Sequence, residues 1–141
     1  MKIRNDFVTN SSSSSYVIAF KGLPNIDEET IEKYPFLAQY QKIVKKAIFD
    51  DGGSYETGET EVFENRIDLQ EHLADEYGYN QTFKEVCKED DYVRDLYNEC
   101  KKYLDDGYKI LTKRVGYGDY REDLFNEIES DDFIIISGEN E

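Results

Sequence analysis

Apolar and polar positions follow two different periods along this chain, and each period predicts its own kind of element. Residues 16–20 are β-branched, aromatic or small apolar residues that end near Gly22 and Pro24, which predicts a strand over residues 15–21. After Pro35, apolar residues recur with the i, i+3, i+4, i+7 spacing of one helix face. The residues of this helical stripe are Phe36, Leu37, Tyr40, Ile43, Val44, Ala47 and Ile48.

The second half of the chain repeats both patterns. Helical spacing predicts amphipathic helices that end at Gly78 and Gly107. Residues 108–115 have the pattern of a strand, and residues 133–136 form the fully apolar run typical of a central strand. The stretch between these two strands carries a helical pattern and is long enough for a crossover. The pair is therefore predicted to be parallel.

These elements predict an α+β fold for the whole chain. We expect about four strands, with 60–64 as a short one, and helices mostly on one face of the sheet. A strand–helix–strand unit is expected at the C-terminal end. The length of 141 residues fits one domain, so residues 1–141 are taken as a single unit.

The net charge of the chain indicates which classes of binding partner to expect. The 32 acidic residues outnumber the 17 basic ones, giving a formal net charge of −15. Residues 50–106 and 119–141 hold most of the excess acid, and the basic strand containing Lys109, Lys113 and Arg114 lies between them. A body this acidic repels phosphates, so we expect no direct binding of nucleic acid or of an anionic membrane. A basic protein surface is the expected partner.

The apolar runs, the serines and the cysteines indicate where the protein is located and whether it binds a cofactor. No apolar run is long enough to cross a membrane, and five serines at residues 11–15 stand where a signal peptide needs an apolar segment. We therefore expect a cytoplasmic protein. Cys87 and Cys100, two lone cysteines 13 residues apart, are predicted to be free thiols and not a disulfide, and neither belongs to a motif that binds zinc. No metal and no cofactor is expected.

The opening residues have a recurrent form. Arg4, Phe7-Val8, Thr9-Asn10, the serine run and Tyr16 follow one another in that order. This string resembles the N-terminus of uncharacterised small proteins from Firmicutes and their phages, which open with a basic residue, Phe-Val, Ser or Thr, Asn, serines and an aromatic residue. The resemblance covers about 17 residues. It implies a bacterial or phage origin and carries no catalytic residue over to this chain.

His72 is the single histidine and the natural candidate for acid–base chemistry. It lies beside an apolar helix face, and spacing alone names no partner for it, so a half-buried structural histidine is the favoured interpretation. The chain contains no Gly-x-Ser-x-Gly, His-Glu-x-x-His or Walker sequence. An enzyme is therefore not expected. The enzyme alternative predicts a concave pocket that contains carboxylates or His72 with strongly perturbed pKa values.

The sharpest binding candidate is a row of acids on the helix over residues 90–105. Asp91, Asp95 and Glu99 repeat at i+4, where like charges cost a few tenths of a kcal/mol each. A helix selected for stability alone would alternate signs there, so the row is a candidate partner-binding surface or a solvated face. Glu122 and Asp123, from the second acidic block, complete the predicted partner-binding set.

These observations favour a non-enzymatic, acidic interaction protein that binds a basic protein surface. Its most concrete form is a phage-encoded inhibitor of the anti-CRISPR or anti-restriction type, which mimics DNA and binds a nucleic-acid-processing enzyme. For DNA mimicry, several acidic elements would have to share one face. Two alternatives stay open: a bacterial domain whose acidity serves solubility, and an enzyme without a recognisable motif.

Overall fold

A computed structural model of the chain describes residues 13–22, 26–50, 57–116 and 118–138. Most of the N-terminal string that carries the resemblance lies outside the described residues. The elements in chain order are β1 (Ser13–Phe20), α1 (Glu28–Lys33), α2 (Phe36–Phe49), β2 (Glu61–Phe63), α3 (Arg66–Tyr77), α4 (Phe83–Glu89), α5 (Asp91–Asp105), β3 (Lys109–Gly116), α6 (Arg121–Ile128) and β4 (Phe133–Ser137). No helix among the described residues is long and apolar enough to cross a membrane.

The four strands form one sheet in the order β2-β3-β1-β4, and all neighbouring pairs are antiparallel. This confirms the predicted α+β class, the four strands and the C-terminal strand–helix–strand unit. Because β1 is antiparallel to both β3 and β4, those two strands run in the same direction, as predicted, but β1 lies between them. The crossover through α6 therefore skips one strand.

Helices cover both faces of this sheet, which revises the expectation that they lie mostly on one face. Alternate residues of β1 explain the arrangement, since Val17 and Ala19 join one apolar core while Tyr16, Ile18 and Phe20 join another. The first core packs against α3, α4 and α5, and we call this side the α5 face. The second packs against α2 and α6 and is the α2 face. A sheet that is apolar on both sides must be covered on both.

Two buried cations bring the C-terminal end of α2 against β3 and α6. The first is Lys113, which is only 2% exposed. Its Nζ donates hydrogen bonds to the carbonyl oxygens of Asp50 (2.8 Å) and Gly58 (3.0 Å) and to the hydroxyl of Thr60 (3.0 Å). The last carbonyls of a helix have no partner within the helix, and a cation there also complements the helix dipole.

The second buried cation is Arg121, which is 3% exposed. Its Nε donates to the carbonyl oxygen of Ala47 (2.8 Å), and its Nη1 donates to both carboxylate oxygens of Asp119 (2.9 and 3.0 Å). Nη2 reaches the carbonyl oxygen of Asp50 at 3.4 Å. The hydroxyl of Thr57 completes the network by donating to Asp119 at 2.9 Å. The guanidinium therefore connects α2, α6 and the segment before β2.

This network predicts a pH dependence of stability. Burial raises the pKa of Asp119, but hydrogen bonds from Arg121 and Thr57 outweigh it and lower the pKa below the ordinary value of 3.8. The stabilisation is therefore complete above pH 3.8 and is lost as the pH falls through the lower, folded-state pKa. In urea denaturation, Asp119→Asn should be less stable than the wild type at neutral pH, with the difference shrinking below pH 3.8. A difference that stays constant with pH would contradict this account.

Both cysteines are free thiols, as predicted. Cys100 is fully buried in the core of the α5 face, and burial raises its pKa to about 12. Cys87 is partly buried on α4, and burial raises its pKa as well. Both side chains therefore serve packing as neutral thiols.

Candidate functional site

The α5 face of the sheet changes from apolar to polar along the strands. At one end, Ala19 of β1 lies opposite Ile110 of β3, which lies opposite Phe63 of β2. Two steps further on the same face, the three strands contribute Val17, Thr112 and Glu61, and the next step contributes Ser15 and Arg114. Side chains on one face of a sheet are spaced by two residues. The polar residues therefore share one end of that face.

Helix α3 lies beside this polar end and turns it into a groove. The groove has a volume of about 330 Å³, which is within the range of small-molecule sites. We call it the carboxylate groove, and its polar lining includes Ser15, Glu59, Glu61, His72, Glu76 and Arg114. It contains His72 and carboxylates, which are the residues that the enzyme alternative expected in a pocket.

His72 is half-buried in this groove and has two partners. Its Nδ1 lies 3.1 Å from Oε2 of Glu61, and its ring centroid lies 4.7 Å from that of Phe63. The contact with a carboxylate places a proton on Nδ1, which leaves Nε2 as the nitrogen free to accept a proton in the neutral ring. His72 can therefore be a half-buried structural residue and still take part in acid–base chemistry.

Three glutamates give the groove its negative charge. Glu61 is on β2, Glu59 precedes it, and Glu76 is four residues after His72 on the same face of α3; all three glutamates are exposed. Arg114 of β3 is also exposed at the groove, whereas the ammonium of Lys113 is buried among the oxygens described above. The geometry suits a guest that carries a positive charge.

The predicted acidic row on α5 is largely balanced by cations of its own helix. Asp91 and Asp95 are exposed and both contact Arg94, at 3.1 Å and 3.3 Å. Glu99 has only 14% of its side chain exposed and lies 3.4 Å from Lys102. The i+4 spacing therefore brings two of the three carboxylates around one guanidinium.

Glu122 and Asp123 lie elsewhere. Both belong to the first turn of α6, on the α2 face, while the row on α5 lies on the opposite side of the sheet. The carboxylate of Glu122 accepts a hydrogen bond from the amide of Gly118 at 2.9 Å, and Asp123 is exposed. The five predicted partner-binding residues therefore lie on opposite faces of the sheet.

The groove contains residues that the sequence did not single out. Glu61, Glu76 and Arg114 belong to three separate elements and meet only in the folded chain. One local signal was present, because His72 and Glu76 are four residues apart on a predicted helix. The partner of His72 could not be found in this way, since Glu61 is on a different element.

No cluster of three or more potential metal ligands occurs in the part of the chain that the structure describes. Comparison with protein-family models, with curated proteins and with solved structures gives no match to this chain.

Proposed function

We propose that this chain is an interaction protein that receives a cationic group of a basic protein partner in the carboxylate groove. The observation that carries the proposal is the placement of three exposed glutamates, Glu59, Glu61 and Glu76, around one concave site. Three carboxylates outnumber the one exposed guanidinium, that of Arg114, so the concave site attracts a cation. A lysine or arginine side chain matches the size and charge of the groove.

The groove supports this function better than the row on α5 does. Asp91 and Asp95 already contact Arg94, so a partner would have to displace an existing cation. Exposed ion pairs are worth only about 0–1 kcal/mol, which leaves little to gain from such an exchange. In the groove, two walls bring carboxylates from β2 and α3 towards the same volume, so one guest contacts several of them.

The charge of the whole chain supports the choice of a basic partner. A net charge of −15 attracts a basic surface from a distance and accelerates encounter. Nucleic-acid-processing enzymes are one class of protein with such surfaces, and we retain them as the proposed partner class. We do not extend the proposal to mimicry of DNA, because the candidate acids lie on opposite faces of the sheet.

The test compares two triple variants with the same change in net charge. The groove variant carries Glu59→Gln, Glu61→Gln and Glu76→Gln, and the control carries substitutions of three exposed glutamates on α1: Glu28→Gln, Glu29→Gln and Glu32→Gln. Binding of an oligo-lysine peptide is measured by calorimetry at low and high ionic strength. The groove variant should bind about tenfold more weakly, as expected for the loss of three exposed ion pairs. The control should change by less than about twofold at high ionic strength.

Equal weakening in both triple variants would overturn the proposal, since attraction would then come from overall charge alone. Circular dichroism of both variants checks that each retains the helical fold, which matters because Glu61 also contacts His72.

A second candidate function, acid–base catalysis, is favoured by one observation. A histidine whose Nδ1 is oriented by a carboxylate is the arrangement of a general base, and His72 has it within the groove. Saturable hydrolysis of a nitrophenyl ester that is abolished by His72→Gln would favour catalysis over binding. Turnover that is linear in substrate or survives His72→Gln would count against it.

A further inference from the structure

Helix α2 leaves part of its apolar stripe exposed. The sequence predicts that Phe36, Tyr40 and Ile43 belong to the buried face, but they are 68%, 41% and 49% exposed. Val44, Ala47 and Ile48 of the same helix are fully buried. The three exposed residues follow the i, i+4, i+7 spacing, so they form one continuous strip, which we call the outer stripe. Contiguous exposed apolar strips of this kind mark interaction sites.

The aromatic character of the outer stripe extends beyond the helix. Tyr34, in the turn between α1 and α2, is 46% exposed, and its ring centroid lies 6.3 Å from that of Phe36. Aromatic residues are enriched at the centres of protein interfaces, where they contribute much of the binding energy. The stripe therefore has both the shape and the residue types of a recognition surface.

The charge of α2 is opposite in sign to the net charge of the chain. The helix contains Lys42, Lys45 and Lys46, all exposed, and no acidic residue, within a chain of net charge −15. At 3.6 residues per turn, Lys42 and Lys46 fall beside the outer stripe on the side away from Val44 and Ile48. The surface is thus an apolar strip bordered by cations.

We propose that the outer stripe of α2 docks an acidic amphipathic helix of another protein, whose apolar face covers Phe36, Tyr40 and Ile43 and whose carboxylates face Lys42 and Lys46. Packing of one helix against another uses side chains at this spacing. Charge complementarity with Lys42 and Lys46 favours this occupant over a second copy paired through α2, which would bring lysines together.

This surface is independent of the carboxylate groove. The outer stripe belongs to α2 on the α2 face, whereas the groove lies on the α5 face of the sheet. The two proposals can therefore succeed or fail separately.

The test uses a synthetic probe and variants matched in chemistry. The probe is a labelled amphipathic peptide with leucines at i, i+3, i+4 and i+7 and flanking glutamates, and the reference is a scrambled peptide of the same composition. The stripe variant is Tyr40→Ala with Ile43→Ala. Its control, Ile67→Ala with Tyr79→Ala, removes the same exposed side-chain types from outside α2.

Fluorescence anisotropy should show binding of the amphipathic peptide and not of the scrambled one. The stripe variant should bind at least about tenfold more weakly, since interface anchors typically cost more than 1 kcal/mol when truncated. The control variant should bind like the wild type. The groove variant should also bind this peptide like the wild type, which separates this result from that of the groove.

The contribution of charge is tested in the same assay. Lys42→Gln with Lys46→Gln should weaken binding of the peptide and reduce its salt dependence. Lys84→Gln with Lys88→Gln, which removes two exposed lysines at the same i, i+4 spacing on α4, should do neither.

Four results would overturn the proposal. The first is equal binding of the amphipathic and scrambled peptides, and the second is an equal loss of binding in the stripe variant and its control. The third is binding to phosphatidylcholine–phosphatidylserine vesicles in place of the peptide. The fourth is self-association in sedimentation that depends on Tyr40 and Ile43 while the peptide does not bind.

Discussion

Replacement of Arg121 by alanine should lower the free energy of unfolding by about 3–5 kcal/mol, the usual cost of removing one partner from a buried ion pair. The side chain of Arg121 is 4% exposed, and its Nη1 lies 2.9 Å from Asp119, whose side chain is 15% exposed. Without it, the carboxylate stays in a largely dry environment, and the carbonyl of Ala47 loses its donor. Urea denaturation followed by circular dichroism measures the loss.

The matched control is Arg94→Ala. Arg94 also contacts aspartates, Asp91 and Asp95, but it is half exposed on α5. Water compensates for an exposed charge that loses its partner, so this substitution should cost no more than about 1 kcal/mol. Equal costs for the two arginines would show that burial does not decide the energetics of these pairs.

The strands could be predicted from sequence because their signals are local. The strand predicted over residues 15–21 is observed as Ser13–Phe20, and the one predicted over 108–115 is observed as Lys109–Gly116. Both consist largely of residues that favour extended backbone, and glycines lie at their ends. The order β2-β3-β1-β4 depends on pairing between distant segments, which no local pattern encodes.

Helix α2 shows a second limit of prediction from the sequence. The helical spacing of its apolar residues was predicted correctly. The spacing alone does not show how many of those residues the sheet will cover. The sheet and α6 cover Val44 and Ile48, and Phe36 and Tyr40 extend beyond them. Burial of a wide stripe depends on the dimensions of the surface that it meets, which tertiary structure alone determines.

Buried charges were the hardest feature to anticipate. Lysine and arginine are almost never fully buried unless they are paired, so residue type alone would place Lys113 and Arg121 at the surface. A signal was nevertheless present for Lys113, since it has the same strand parity as Leu111 and Val115, which join the core of the α2 face. The acceptors that make its burial possible, the carbonyls of Asp50 and Gly58, are more than 50 residues away in the chain.

The second large effect on stability is expected from a substitution in the core of the α2 face. Phe125 of α6 is completely buried, and its ring centroid lies 5.3 Å from that of Tyr16 and 6.0 Å from that of Phe133. Phe125→Ala removes a ring that packs against β1 and β4 and leaves a cavity that close-packed neighbours fill only in part. The expected loss of unfolding free energy is about 3–5 kcal/mol, a large share of the 5–15 kcal/mol that stabilises a typical domain.

Phe36→Ala makes the same chemical change on the outer stripe and separates burial from residue type. Phe36 is 68% exposed, so its truncation opens no cavity, and the unfolding free energy should change by no more than about 0.5 kcal/mol. Urea denaturation of both variants, with the same slope against denaturant, measures the contrast. A large loss for Phe36→Ala would mean that α2 already uses its outer stripe within this chain. The stripe could then not be the docking surface proposed above. A small loss, beside a large one for Phe125→Ala, would leave the ring of Phe36 without a role in the stability of the fold and available for a partner.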